Sequence, residues 1–145
     1  MRPDRFLEVA RALLAEGRAV RFRARGWSMA PELRDGDLLT IVPRPRRALR
    51  RGDVAFFTLG TRVLAHRVVG RDAAEALICR GDHWLCDPER VPEQAVLGLV
   101  VAVNGCDTPL PRPWRRPRWL GHAFSAASAG LRAGMLSLRY NLKRG

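Results

Sequence analysis

The chain has 145 residues, of which 47% are hydrophobic and 28% are charged. This length and balance are typical of one folded domain with a sizeable core, and they exclude a disordered or fibrous chain. The formal net charge of +12 is concentrated at the C-terminal end, where no acidic residue follows Asp107.

The N-terminal segment has a helical pattern. Phe6, Leu7, Ala10 and Leu14 recur at helical spacing behind Asp4, which is a suitable N-cap, and Gly17 follows. We therefore predict an amphipathic helix over residues 4–16. Acidic residues interrupt its apolar pattern, so we expect it to be retained rather than removed as a secretory signal.

From Ala19 onward the apolar period changes to two. Val20, Phe22 and Ala24 alternate with arginines up to Gly26, which predicts a half-exposed strand. Further strands are predicted at residues 37–43, 53–59, 62–70, 76–81 and 96–103, with glycines and prolines between them. Short strands in succession, without intervening helices, predict a mainly β fold with an antiparallel β body and short flanking helices.

The C-terminal segment differs from this body. Residues 109–119 contain four prolines and are interpreted as a linker or surface strap. Beyond them, apolar residues from Leu120 to Leu142 follow one helical stripe, which predicts a basic amphipathic helix. The sequence thus divides into an N-terminal helix at 1–18, a β domain at 19–108 and a basic strap and helix at 109–145.

The basic end indicates an anionic partner. Its charges are Arg112, Arg115, Arg116, Arg118, Arg132, Arg139, Lys143 and Arg144. We expect the apolar face of the helix to dock on the protein's own core, with binding of residues 112–145 to an anionic membrane surface as the alternative. No nucleic acid is expected, because the N-terminal segment has room for one helix and so for no helix-turn-helix.

Cysteine usage bears on compartment and cofactors. The three cysteines are odd in number and lack CxxC spacing, which favours a reducing compartment. No predicted segment is long and apolar enough to cross a bilayer. We therefore expect a cytoplasmic protein, soluble or peripheral at the inner membrane face. Cys79, His83 and Cys86 lack an evident fourth ligand, so no metal and no cofactor is predicted.

The candidate nucleophile is Ser28, in the segment "GWSMAPELRDGD". A catalytic serine needs a base, and the only lysine, Lys143, lies in the terminal segment. The histidines His66, His83 and His122 remain as candidate bases. His66 is favoured because strand alternation aims its imidazole consistently to one side and because a later segment supplies acids that could orient the ring. Asp82 and Asp87, in "CRGDHWLCD", could each orient the ring, and spacing alone does not choose between them.

Four segments, "GWSMAPELRDGD", "GDVAFF", "VLAHRVVG" and "CRGDHWLCD", resemble in order and spacing the conserved boxes of the type I signal peptidase family. That family shares its fold with LexA-type repressors. The histidine before "RVV" resembles the archaeal and endoplasmic-reticulum branch, in which serine pairs with histidine. The resemblance covers about residues 19–104.

The resemblance implies roles for individual residues. Ser28 corresponds to the nucleophile and His66 to the general base, with Asp87 favoured as the orienting acid and Asp82 as a supporting or alternative one. Residues placed near the substrate or the oxyanion are Gly26, Trp27, Met29 and Pro31.

The predicted activity is that of a serine endopeptidase that cleaves a leader or signal-type peptide from a precursor. The substrate is expected to bind as an added strand beside residues 19–26 or beside the "DVAFF" strand, with small side chains near the scissile bond. The alternative functions are a non-catalytic LexA-like binding module and a membrane-surface interaction protein with a relic active site.

Overall fold

The computed structural model of the protein describes residues 3–106. The predicted strap at 109–119, the predicted C-terminal helix and the basic residues of the alternative membrane-binding surface lie outside the described residues.

Helix α1, Pro3–Ala15, confirms the predicted N-terminal helix. Ala10 and Leu14 are buried against the sheet, and the ring of Phe6 lies 4.6 Å from that of Phe22. The helix ends at Ala15, and the chain then turns at Gly17, whose φ of 78° is favourable for glycine. The apolar stripe of the helix therefore closes one side of the core.

Seven antiparallel strands form one sheet that curls into a half-barrel, which confirms the predicted mainly β fold. The strand order is β1-β2-β7-β3-β4-β5-β6. The strands are β1 Val20–Arg23, β2 Leu38–Val42, β3 Val54–Leu59, β4 Arg62–Arg71, β5 Leu77–Arg80, β6 Glu89–Val91 and β7 Val96–Val103.

The order of the strands determines where a further strand could be added. Strand β3 is hydrogen-bonded to β4 on one side and to β7 on the other. It has no free edge, so the expectation that a substrate strand adds beside "DVAFF" is wrong. Strand β1, by contrast, pairs only with β2 among the described residues, so its other edge is open.

Strand β4 lies between β3 and β5 and is longer than β5. Strand β3 covers one side of β4 from Arg62 to Arg67, whereas β5 pairs with β4 only from Arg67 onward. Among the described residues, no strand pairs with residues 62–66 on that second side. His66 is therefore the last residue of β4 before pairing with β5 begins, and no described strand covers it on that side.

A long loop connects β1 to β2. Ala24 closes its base, because Ala24 N donates to Asp37 O while Gly36 N donates to Ala24 O. Inside the loop, Met29 and Leu33 are fully buried and are joined by a hydrogen bond from Leu33 N to Met29 O. These apolar anchors fix the segment that carries Ser28.

Candidate active site

Ser28 is held at its backbone by the segment between β5 and β6. Its carbonyl oxygen accepts hydrogen bonds from His83 N at 2.9 Å and from Cys86 Sγ at 3.4 Å. The residue itself is only 1% exposed. The loop that follows β5 therefore packs directly over the candidate nucleophile.

The structure brings Ser28 and His66 together across 38 positions of the chain. Ser28 Oγ lies 3.0 Å from His66 Nε2, within hydrogen-bond distance. His66 is 1% exposed and projects from β4, where its backbone pairs with Ala55 of β3. The imidazole is thus fixed on a regular strand and shielded from water.

The second ring nitrogen of His66 contacts Glu89, the first residue of β6. His66 Nδ1 lies 2.7 Å from Glu89 Oε2. An ionised carboxylate can only accept a hydrogen bond, so Nδ1 carries the proton and donates it to Glu89. The neutral ring then has its lone pair on Nε2, directed at the Ser28 hydroxyl. This tautomer is the one that a general base requires.

The carboxylate against His66 differs from the one that the sequence favoured. Asp87 is exposed on the surface, and Asp82 is engaged by Arg67. The expectation that Asp87 orients the ring, with Asp82 as its alternative, is therefore corrected to Glu89. The physical reason is strand β6, which starts at Glu89 and pairs Glu89 with Cys79 of β5, one strand away from His66.

Asp82 has a different place in the site. Its two carboxylate oxygens accept from Arg67 Nε at 3.1 Å and Arg67 Nη2 at 2.7 Å, and both side chains are about 95% buried. Arg67 also donates to Gly52 O at 2.8 Å. This bidentate pair ties the turn after β5 to the strand that carries His66.

Gly81 lies at the tightest contact of this turn. A Cβ atom at this position would lie 2.5 Å from the carbonyl oxygen of Ser28 and 2.6 Å from Cys86 Sγ. Only glycine allows the turn to approach the nucleophile so closely. Its position in the "RGD" segment is therefore explained by contact with Ser28.

The residues expected near the substrate flank Ser28 in the loop between β1 and β2. Gly26 has a φ of 88° and donates its N–H to Asp35 Oδ1. The half-buried Trp27 ring packs edge-on to the His83 ring at 4.4 Å. Met29 is buried, and its sulfur accepts from Asp82 N at 3.4 Å, whereas Pro31 is exposed and follows a cis peptide bond.

Two buried thiols lie close to the site. Burial and, to a smaller extent, the negative charge of Glu89 raise the pKa of Cys79 to about 12. Burial likewise raises the pKa of Cys86 to about 12. These thiols stay protonated and serve as packing groups and, for Cys86, as a hydrogen-bond donor. Within the described part of the chain, no three His, Cys, Asp or Glu side chains are grouped to hold a metal ion.

A serine hydroxyl, a buried imidazole and a carboxylate in series are the arrangement found in serine peptidases. Here they lie at the open side of an antiparallel half-barrel. In agreement, the family model described as Peptidase S24-like matches residues 2–101, and the chain belongs to this family. The family includes serine peptidases and LexA-like domains, and some of its members are not catalytic.

No curated protein and no solved structure matches the chain. Among the described residues, no helix has the length and apolar character needed to span a membrane.

Proposed function

We propose that this protein is a serine endopeptidase that removes a leader or signal-type peptide from a precursor. The observation that carries the proposal is the continuous hydrogen-bonded series from Ser28 Oγ through His66 to Glu89. The resemblance of four sequence segments to type I signal peptidases supports the substrate class.

In the proposed mechanism, His66 Nε2 takes the proton of the Ser28 hydroxyl as Oγ attacks the carbonyl carbon of the substrate. The new Oγ–C bond gives a tetrahedral oxyanion. The C–N bond then breaks, and the proton on Nε2 passes to the leaving amine. Water repeats the cycle on the acyl-enzyme, and the proton it loses returns through His66 to Ser28. Glu89 stabilises the imidazolium in both halves.

The oxyanion needs a donor next to Oγ. Within the described residues, the backbone N–H of Ser28 makes no hydrogen bond, so it is free to donate to the oxyanion. Gly26 offers no side-chain hydroxyl for this purpose. One such donor contributes about 2.7–4 kcal/mol to the stability of a transition state in other enzymes.

The substrate is proposed to bind extended along the open edge of β1. This edge leads directly into the loop of Ser28, and main-chain hydrogen bonds to an edge strand recognise an extended peptide without regard to its sequence. Substrates with small side chains beside the scissile bond are favoured, because Ser28 is almost fully buried and large side chains would hinder access to its hydroxyl.

The proposal is tested with a fluorophosphonate probe and with a pool of extended peptides that contain alanine at the central positions. We expect the probe to add once, at Ser28, and the peptides to be cut at a discrete bond. Both reactions are lost in Ser28→Ala, and His66→Ala slows them by about 10²–10⁴-fold. The proposal is overturned if the folded parent protein neither reacts with the probe nor cuts the peptides.

A second candidate function is that of a non-catalytic LexA-like binding module. The 1% exposure of Ser28 favours it, because an active nucleophile must be reached by its substrate. The same probe separates the two functions, since a relic site has a serine that does not react.

A further inference from the structure

The open edge of β1 carries an unusual row of positive charge. Arg21 and Arg23 are exposed on the outer face of the strand, whereas Val20 and Phe22 are buried in the core. Arg25 continues the row toward Ser28, three positions later. We define Arg21, Arg23 and Arg25 as the arginine edge.

Among residues 3–106, no acidic side chain neutralises the charges of the arginine edge. Across the strand pair, Arg21 faces Thr40 and Arg23 faces Leu38, both uncharged. Arg23 Nη1 donates to the carbonyl oxygen of Gly36, a neutral group. Among the described residues, no member of the arginine edge forms an ion pair.

Two acidic side chains of the loop between β1 and β2 are engaged by other groups. Asp35 accepts from Gly26 N, and Asp37 accepts from Arg34 N and from Asn104. These carboxylates cap backbone and amide N–H groups rather than the guanidinium groups. The row therefore presents its charge to the solvent side of the edge.

The main chain of the same residues is available for pairing. Ala24 exchanges both of its hydrogen bonds with the far side of the loop. In an antiparallel pair such residues alternate with residues whose N–H and C=O point the other way. Arg23 and Arg21 therefore direct their main-chain groups to the open edge of the sheet.

From these observations we infer that the substrate segment beside β1 is an acidic peptide, with Asp or Glu at alternate positions on its outward face. This inference rests on the proposed function and specifies its substrate class. An added strand places its outward side chains directly beside Arg21 and Arg23, where opposite charges attract and like charges repel. The acidic positions lie within about seven residues of the scissile bond, given the spacing of residues along a strand.

A polynucleotide is the other polyanion that a row of arginines could attract. The peptide is favoured because the arginine edge combines charge with a ladder of free main-chain donors and acceptors, which an extended peptide matches in spacing and a phosphate backbone does not. The row also repels a second copy of the same edge, so self-association does not compete for it.

The experiment measures binding and cleavage separately. Two labelled peptides with identical alanine-containing centres carry either glutamate or glutamine at alternate flanking positions. Fluorescence anisotropy with the Ser28→Ala protein gives their affinities, and mass spectrometry with the parent protein gives kcat/KM. We expect the glutamate peptide to be preferred by about tenfold in both, with the preference falling as salt is added.

Arg21→Gln with Arg23→Gln removes this preference. Arg21→Gln alone, which breaks no hydrogen bond between described residues, reduces it by about half on a logarithmic scale. The matched control is Arg44→Gln with Arg47→Gln, which removes the same charge from two exposed arginines between β2 and β3 and keeps the preference.

The outcomes distinguish this inference from the proposed function. Cleavage without preference for glutamate overturns the inference and leaves the peptidase. Preferential binding of the glutamate peptide without cleavage supports recognition of acidic peptides by the arginine edge and overturns the peptidase. Equal or no binding of the two peptides, or an oligonucleotide that displaces the glutamate peptide at lower concentration than unlabelled peptide does, overturns the inference.

Discussion

At the scale of single residues, Glu89 decides whether His66 can act as a base. Replacement by glutamine keeps the size of the side chain but lets its amide donate to Nδ1. The ring proton then moves to Nε2, which can no longer accept from Ser28. We expect Glu89→Gln to lower kcat on the order of 10³-fold with little change in KM, as measured by steady-state peptide cleavage.

Asp87→Asn is the matched control for Glu89→Gln. It removes one carboxylate from the same segment, but Asp87 is exposed and Glu89 is the group on the ring. Its kcat should stay within about twofold of the parent, as for most surface substitutions. Equal losses in the two variants would show that charge near the site, rather than the tautomer of His66, governs the rate.

The acid is also the part of the site that the sequence did not predict. The contact between Ser28 and His66 was expected, because both residues lie in segments that resemble the conserved boxes of type I signal peptidases. Glu89 lies just after Pro88, in a strand of three residues of which two are charged. Such a strand has no apolar alternation, so nothing in the local pattern indicated that Glu89 would point back to β4.

At the scale of elements, the turn between β5 and β6 supports the backbone of Ser28. Gly81→Ala should disturb this support, because the added methyl group would overlap the carbonyl oxygen of Ser28. We expect a loss of about 1–3 kcal/mol in the free energy of unfolding, measured in urea. Cleavage should fall by about 10²-fold, since a nucleophile displaced by an ångström is poorly aligned.

Gly70→Ala provides the comparison for this substitution. Gly70 lies in β4, and a Cβ atom there would meet nothing within 4 Å. The same change of residue type should therefore leave both stability and cleavage close to those of the parent protein. A Gly81→Ala protein as active as Gly70→Ala would mean that the turn yields without moving Ser28.

Most elements of the fold follow from local pattern, whereas their arrangement does not. The helix and six of the strands were predicted within about three residues of their observed ends, because alternation and turn residues are local signals. The central position of β7, between β2 and β3, joins residues distant in sequence and depends on the shared core. Gly98 of β7, for instance, leaves room for the carbonyl oxygen of Val42.

At the scale of the whole molecule, the ionisable composition is unusual. Arginine stays charged up to very high pH, and the chain has one tyrosine and one lysine. Few groups other than cysteine therefore titrate between pH 9 and 12. Within that range the buried thiols become the main link between pH and folding.

The sign of this link follows from the raised pKa values of Cys79 and Cys86. Both thiols remain protonated up to about pH 12 when folded, whereas an unfolded thiol loses its proton near pH 9.0. In that window the unfolded state binds fewer protons, so the free energy of unfolding falls as pH rises. Their stabilising contribution is complete below pH 9 and is lost on approaching pH 12.

We therefore expect urea unfolding under reducing conditions to show a steady loss of stability above pH 9, of up to about 1.4 kcal/mol per pH unit from Cys79 alone. The double variant Cys79→Ala, Cys86→Ala should start less stable, because it leaves small cavities, but its stability should depend less on pH. Cys106→Ala, which alters an exposed thiol, should retain the parent slope. If the double variant keeps the slope of the parent protein, the two thiols do not cause the loss of stability above pH 9.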